Sequence, residues 1–345
     1  MTRPIKTVAA SLTALAAAGL SSGAQAEEAA PIVLEPAVES FLQSLEGAPA
    51  IYTLTPAEAR DVLHGAQSGP VKAPAVDSED RVLPVGPTGE TKVRVIRPAG
   101  ATGTLPVIVY FHGAGWVMGD TLTHDRLVRE LAAGANAAVV FVDYDRSPEA
   151  RYPVAIEQDY AVTAYVAQHA DEFGIDPERL VIAGDSVGGN MTAVVSLLAK
   201  DRNGPEIAGQ LLFYPVTDAG MDTASYEQFQ DGPWLTKPAM KWFWDQYLPD
   251  ETARQSIYVS PLNASVDQLE GLPPALVITD ENDVLRDEGE AYARKLQQAG
   301  VTVTSTRYNG TIHDFVMLNA LAETPATRAA IDQATNFLRG IFAAN

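Results

Sequence analysis

No cysteine occurs in the 345 residues. That excludes a disulfide framework, thiolate catalysis, thiolate metal sites and a lipid anchor on cysteine. Such a chain must hold its fold by core packing alone, which this length and an apolar content of 46% permit. Positive charge is scarce as well: 24 basic residues against 44 acidic ones leave a formal charge of −20. A surface of that sign repels phosphate backbones and anionic bilayers, so neither nucleic-acid binding nor a stable membrane anchor is expected. Histidines number five, and no internal repeat is visible. No apolar run reaches the roughly 20 residues a membrane span needs. The longest, residues 7–20, follows Arg3 and Lys6 and precedes Ala24-Gln25-Ala26. A basic start, a short apolar stretch and a small-x-small site read as an export signal over residues 1–26. Its removal would take Arg3 and Lys6 and no acid, moving the formal charge from −20 to −22.

Residues 27–80 read as a linker and two short amphipathic helices. The second helix is announced by Thr55-Pro56-Ala57-Glu58, a capping box with proline in the first turn. Two strands over 81–85 and 91–97, joined by Gly86-Pro87-Thr88-Gly89-Glu90, form an antiparallel hairpin. From there, apolar runs at 106–111, 137–142, 180–183, 210–214, 275–279 and 301–308 alternate with helix-length segments. That alternation predicts an α/β fold: an eight-stranded, mostly parallel sheet with helices on both faces. The catalytic domain then spans 81–345. An aromatic-rich insertion follows the strand ending at Tyr214, about 217–262, and an excursion there lies over the carboxyl edge of the sheet, where ligands bind.

The chemistry gathers at Gly184-Asp185-Ser186-Val187-Gly188-Gly189. An apolar strand runs into Gly-x-Ser-x-Gly and a helix follows at once, the order of a nucleophile elbow. Ser186 is the candidate nucleophile. The Val187 N–H, at the helix N-terminus, is a candidate donor to a developing oxyanion. A serine nucleophile needs a base and an orienting acid, and in this architecture both follow it in the chain. Of the five histidines only His313 lies beyond Ser186, just past the last strand. The loop after the strand at 275–279 offers Asp280, Asp283 and Asp287. Position alone leaves all three open, with Asp283 favoured because Asp287 is close enough to a helix start to cap it. The loop His112-Gly113-Ala114-Gly115-Trp116 supplies the expected oxyanion donors, the N–H groups of Gly113 and Ala114. Substrate-pocket candidates are Trp116 and Asp185 beside these motifs, with Phe229, Trp234, Leu235 and Trp242 in the insertion. No His/Cys cluster or calcium-loop spacing calls for a metal or cofactor.

Four motifs in this order resemble the hormone-sensitive-lipase-like family of α/β-hydrolases, in its bacterial esterase branch. The family's His-Gly-Gly-Gly, Gly-Asp-Ser-Ala-Gly-Gly, Asp-Pro-Leu-x-Asp and Ile-His-Gly-Phe stand here at 112–115, 184–189, 283–287 and 312–315. The resemblance covers about 81–342. It implies the triad Ser186, Asp283 and His313, and a cap built from the N-terminal helices and the insertion. It also implies a small-molecule ester substrate, with short to medium acyl chains favoured. An amidase or aryl-formamidase, or a non-catalytic binding module, would use the same fold. The departures are Ala114 for glycine, Val187 for alanine, Asp314 for the glycine after the base, and Asp145 at the arginine of the family's Tyr-Arg-Leu-Ala-Pro-Glu segment. Asp314 is expected to raise the proton affinity of His313 if it approaches the ring.

Overall fold

The computed structural model describes residues 32–344. The expected export signal at 1–26 lies outside the described residues. Eight strands form one sheet: β1 Val76–Leu83, β2 Thr91–Pro98, β3 Leu105–Phe111, β4 Ala138–Asp143, β5 Ile175–Asp185, β6 Gly209–Phe213, β7 Ala275–Asn282 and β8 Val303–Ile312. Their spatial order is β1-β2-β4-β3-β5-β6-β7-β8. β2 runs antiparallel to both β1 and β4, and every pair from β4 onward is parallel.

The helices are α1 Pro36–Ser44, α2 Pro56–Gln67, α3 Asp125–Ala135, α4 Val154–Gln168, α5 Ala170–Phe173, α6 Val187–Asp201, α7 Ala224–Gln228, α8 Lys237–Tyr247, α9 Val266–Leu269, α10 Arg286–Gln298 and α11 Pro325–Ala344. α3 packs on α11 over one face of the sheet, while α4, α6 and α10 cover the other. Central strands must therefore be apolar on both sides, and every residue of β3 and β6 is buried. Neighbouring residues split between the faces: Leu212 and Val277 meet α6 and α10, whereas Leu276 and Ile278 join the cluster of Ala334 and Leu338 from α11.

Several strand boundaries differ from expectation, among them β5, which begins at Ile175, and β7, which runs to Asn282; two others bear on the sheet edge and the site. β1 begins at Val76 and not at 81, because an edge strand needs no apolar alternation. Asp77, Ser78, Glu79 and Asp80 are exposed, and such charges blunt an open sheet edge. β8 continues to Ile312, which brings His313 directly onto the carboxyl end of the sheet.

The N-terminal arm folds back over that end. In α2 the capping box forms as expected, with Glu58 accepting from the Thr55 N–H at 2.8 Å. Arg60 ties the helix down through Val117 O at 2.8 Å and a two-pronged contact with Glu149 at 2.9 and 2.7 Å. Gln67 donates to the carbonyls of Thr123 and Met317 at 2.6 and 2.9 Å. Across from the arm, α8 packs on Ile51–Thr53, and Trp234 lies 5.3 Å from the Phe41 ring.

Candidate active site

β5 delivers Asp185 and α6 takes over at Val187, leaving Ser186 as the whole turn. Its backbone stands at φ 56°, ψ −119°, a conformation that favours glycine and is kept only where the surroundings enforce it. The Ser186 N–H donates to Phe213 O at 2.9 Å, and its carbonyl accepts from Val216 and Asn190. Gly184 and Gly188 make room for the turn: a Cβ on Gly188 would run into the Phe111 carbonyl, and one on Gly184 into Gly188 O.

The structure brings the sequence-predicted Ser186, His313 and Asp283 into one chain of hydrogen bonds. His313 Nδ1 lies 2.8 Å from Asp283 Oδ2, and Nε2 lies 2.9 Å from Ser186 Oγ. A carboxylate only accepts, so Asp283 fixes the Nδ1–H tautomer and leaves Nε2 to accept from the serine. Asp283 is itself held by the Leu285 N–H at 3.0 Å. Asp287 faces elsewhere: it accepts from Ser225 N at 2.8 Å and pairs with Arg286. Asp280, the third candidate acid, lies within β7, fully buried, with a carboxyl oxygen within 4.8 Å of one of Asp283.

Asp314 does approach the ring. Its Oδ1 lies 3.4 Å from His313 Nε2, while Oδ2 accepts from the Trp234 indole at 3.0 Å. Burial alone would depress the imidazole, but Asp283 and then Asp314 outweigh it and hold the ring above its ordinary range. The edge-to-face contact of Tyr214, 4.8 Å from the imidazole, was not signalled by any motif. Its place at the end of β6, beside the elbow, is the clue that sequence offered.

The donor loop corrects one expectation. The Gly113 N–H is not turned toward Ser186; it donates to Asp185 Oδ1 at 3.0 Å. Asp185 also accepts from the Tyr110 hydroxyl at 2.6 Å and meets His124 Nε2 at 3.3 Å. Burial raises the Asp185 carboxyl, yet His124 and the Tyr110 hydroxyl outweigh it and keep the group below its usual range. Asp185 is therefore an ionised anchor for the loop, fully buried, and not a pocket residue as expected. The N–H groups of Ala114, Gly115 and Val187 have no acceptor among the described residues, and Ala114 and Gly115 line the cavity beside Ser186. Gly115 sits at φ 69°, and a Cβ there would collide with Phe243.

His112 packs face to face with Tyr144 at 4.0 Å, and the Tyr144 hydroxyl donates to His112 O at 2.9 Å. Burial, then the neighbouring His124, pushes the His112 ring down to about 3, so it stays neutral. The Asp145 departure is absorbed by Gln158, which donates to the Asp145 carboxylate and accepts from its backbone N–H, both at 2.8 Å.

Ser186 opens into a cavity of about 770 Å³, within the usual range for a small-molecule site. Of the expected pocket residues, Trp234 and Leu235 line it. Trp116 does not: a backbone at φ 60° turns it into the core, where it stacks on Tyr247 at 4.1 Å. Phe229 is buried beneath the Arg286 guanidinium, 5.3 Å away. Trp242 lies on the wrong side of α8, whose Ala239, Met240 and Phe243 share the cavity face at helical spacing. The opposite wall, from Phe41, Leu45, Ile51 and Leu63, belongs to the N-terminal arm.

With that geometry in place, comparison with known proteins is decisive. The α/β-hydrolase fold family matches residues 108–317. The chain belongs to the α/β-hydrolases, in the hormone-sensitive-lipase-like esterase branch. The crystal structure of a thermostable esterase from Pseudomonas putida is 52% identical to this hydrolase with a TM-score of 0.87, covering 90% of this chain and 98% of that one. A fungal esterase structure from Rhizomucor miehei is 39% identical with a TM-score of 0.85, covering 91% and 98%. The carboxylesterase NlhH of Mycobacterium tuberculosis is 36% identical over 290 residues, 83% of this hydrolase and 91% of its own length.

Proposed function

We propose that this hydrolase cleaves carboxylic esters through an acyl-enzyme on Ser186. The observation that carries the reading is the hydrogen-bond chain Asp283–His313–Ser186 at the mouth of an apolar cavity. Ser186 Oγ attacks the ester carbonyl carbon as its proton passes to His313 Nε2, and Asp283 stabilises the imidazolium that forms. The N–H groups of Ala114, Gly115 and Val187 receive the oxyanion; one such donor is worth about 3–4 kcal/mol in comparable sites. Collapse expels the alcohol, which takes the proton from Nε2. Water then attacks the acyl carbon, giving its proton to the same nitrogen, and the carboxylic acid leaves with Ser186 restored.

The chain is an ester-hydrolysing enzyme of its branch, in keeping with the esterases and carboxylesterase it resembles. Short to medium acyl chains fit a cavity walled by Phe41, Leu45, Trp234 and Phe243, side chains that leave apolar but bounded space. Residues 1–26 direct export; among the described residues no helix is long and apolar enough to cross a membrane. N-terminal sequencing of the exported protein would find Glu27 first.

The test is Ser186→Ala assayed on a nitrophenyl ester series from acetate to palmitate. Removing the nucleophile of a triad costs about 10⁶-fold in kcat in a comparable serine hydrolase, with folding kept. Retained turnover sinks the acyl-enzyme, and a wild-type maximum at palmitate sinks the chain-length assignment.

A further inference from the structure

Asp280 lies in β7, three residues before Asp283, and no step above uses it. It is fully buried, and neither carboxyl oxygen has a hydrogen-bond partner among the described residues. Residues three apart on a regular strand point to opposite faces. Here the pairing of β7 with β8 shifts between Asp280 and Asn282, and such irregularities re-aim side chains. A carboxyl oxygen of Asp280, one of Asp283 and a ring nitrogen of His313 consequently lie within 4.8 Å of one another.

The titratable groups facing Asp280 are Asp283 from the loop after β7, His313 and Asp314 from the turn after β8, and Tyr214 from the end of β6. Only His313 among them can carry positive charge, and its Nδ1 is already committed to Asp283. An ionised Asp280 would be a buried anion beside a second anion with no donor. Two carboxylates sharing a site cannot both ionise, and an unpaired buried charge is among the costliest groups a core can hold. A protonated Asp280 removes both penalties, because Asp283 is then its acceptor. Burial first, and the Asp283 charge second, push the Asp280 carboxyl well above its ordinary range.

We propose that Asp280 is a positioning residue that stays protonated and donates a hydrogen bond to Asp283, giving the Ser186–His313–Asp283 chain a fourth member inside the core. The proposal rests on the triad reading above. Asp283 then divides its acceptor capacity among His313, the Leu285 N–H and Asp280. A carboxylate whose charge is partly satisfied holds the imidazolium less tightly, so Asp280 lowers the proton affinity of the base.

Two variants of the full-length enzyme separate this from space filling. Asp280→Asn keeps a donor and cannot ionise, whereas Asp280→Val keeps the approximate volume and has no donor. The readout is the acidic limb of kcat/KM against pH on nitrophenyl acetate. Asn keeps the wild-type limb within about 0.3 units, and Val moves it up by about 0.5–1 unit. A downward move in Asn overturns the proposal, since it would mean that a native negative charge was lost. An unmoved limb in Val overturns it as well, leaving Asp280 as mere filler.

Thermal melts provide an arm independent of turnover, and they serve if the Val variant does not fold. A carboxyl whose folded pKa is raised contributes stability that is complete below its unfolded pKa and is lost as pH rises through the folded one. The Tm of Asp280→Asn relative to wild type therefore grows with pH above about 4; a constant difference overturns the proposal. Ser186→Ala tests the triad reading separately, so an active enzyme with negative results in the Asp280 arms counts against this inference alone.

Discussion

Asp314 stands where the resembled motif has glycine, 3.4 Å from the nitrogen that takes the serine proton in the proposed reaction, and Asp314→Asn measures what it does. At that separation a unit charge pair is worth about 1.2 kcal/mol in bulk water and about 5 kcal/mol at an effective dielectric near 20. His313 and Asp314 are both buried, so the bulk-water figure is the floor of the effect. About 1.2 kcal/mol corresponds to about 0.9 pH units. The sign follows from the base. Only a neutral imidazole accepts the Ser186 proton, and Asp314 favours the charged ring, so removing its charge moves the acidic limb of kcat/KM down by about one unit or more. The assay is the initial rate on nitrophenyl acetate between about pH 5 and 10, where free-enzyme pKa values are read from kcat/KM. Asparagine keeps an oxygen for the Trp234 indole, so cap contacts remain. A limb that stays put, or moves up, refutes the electrostatic account of this departure.

Two further substitutions probe the donor loop. Ala114 is held at φ 75°, a region that costs an L-residue about 1–2 kcal/mol against a smaller entropic penalty for glycine in the unfolded chain. Ala114→Gly therefore raises stability by about 0.5–1 kcal/mol, seen as a higher denaturant midpoint at unchanged slope. Asp185→Asn removes the charge that receives the Gly113 N–H, the Tyr110 hydroxyl and His124. It lowers kcat by about tenfold or more through a loosened oxyanion loop while Ser186 still reacts with a fluorophosphonate; an unchanged kcat would show that the loop holds its place without that anchor.

What sequence could reveal here depended on how local each determinant is. The elbow was legible because strand, glycines, serine and helix are contiguous, and the steric demand acts within six residues. His313 was legible by scarcity, with only one histidine beyond the serine. The donor loop is less local: sequence points to Gly113 and Ala114, but whether Gly113 or Gly115 keeps a free N–H is decided by Asp185, which approaches from a different strand. The cavity was harder still. The residues of α1 and α2 by themselves show only amphipathic helices; the resemblance implies that they cap the site, and the contacts that seat them over the cavity, Arg60 and Gln67 reaching distant loops, are long-range. Trp116, next to the donor loop, and Trp242, in an insertion over the carboxyl edge of the sheet, hold positions in the chain from which lining is expected. One backbone φ and the phase of one helix put them elsewhere.

The two carboxylates at His313 act on different nitrogens, and this gives Asp314 a double role. Asp283 holds Nδ1 at 2.8 Å, while Ser186 Oγ and Asp314 Oδ1 both face Nε2, at 2.9 and 3.4 Å. A neutral ring protonated on Nδ1 presents one lone pair at Nε2, which the serine hydroxyl takes and an ionised Asp314 has no means to compete for. A charged ring presents a proton there, and the carboxylate is the stronger acceptor. In the resting enzyme this stabilises the form that cannot act as a base. Once Ser186 has attacked in the proposed reaction, however, the imidazolium is the required state, and the same charge lowers the barrier. Asp314→Asn is therefore faster than wild type on the acidic limb and slower on the alkaline plateau, so the two pH–rate curves cross. A variant faster at every pH would mean that Asp314 acts on the substrate and not on the ring.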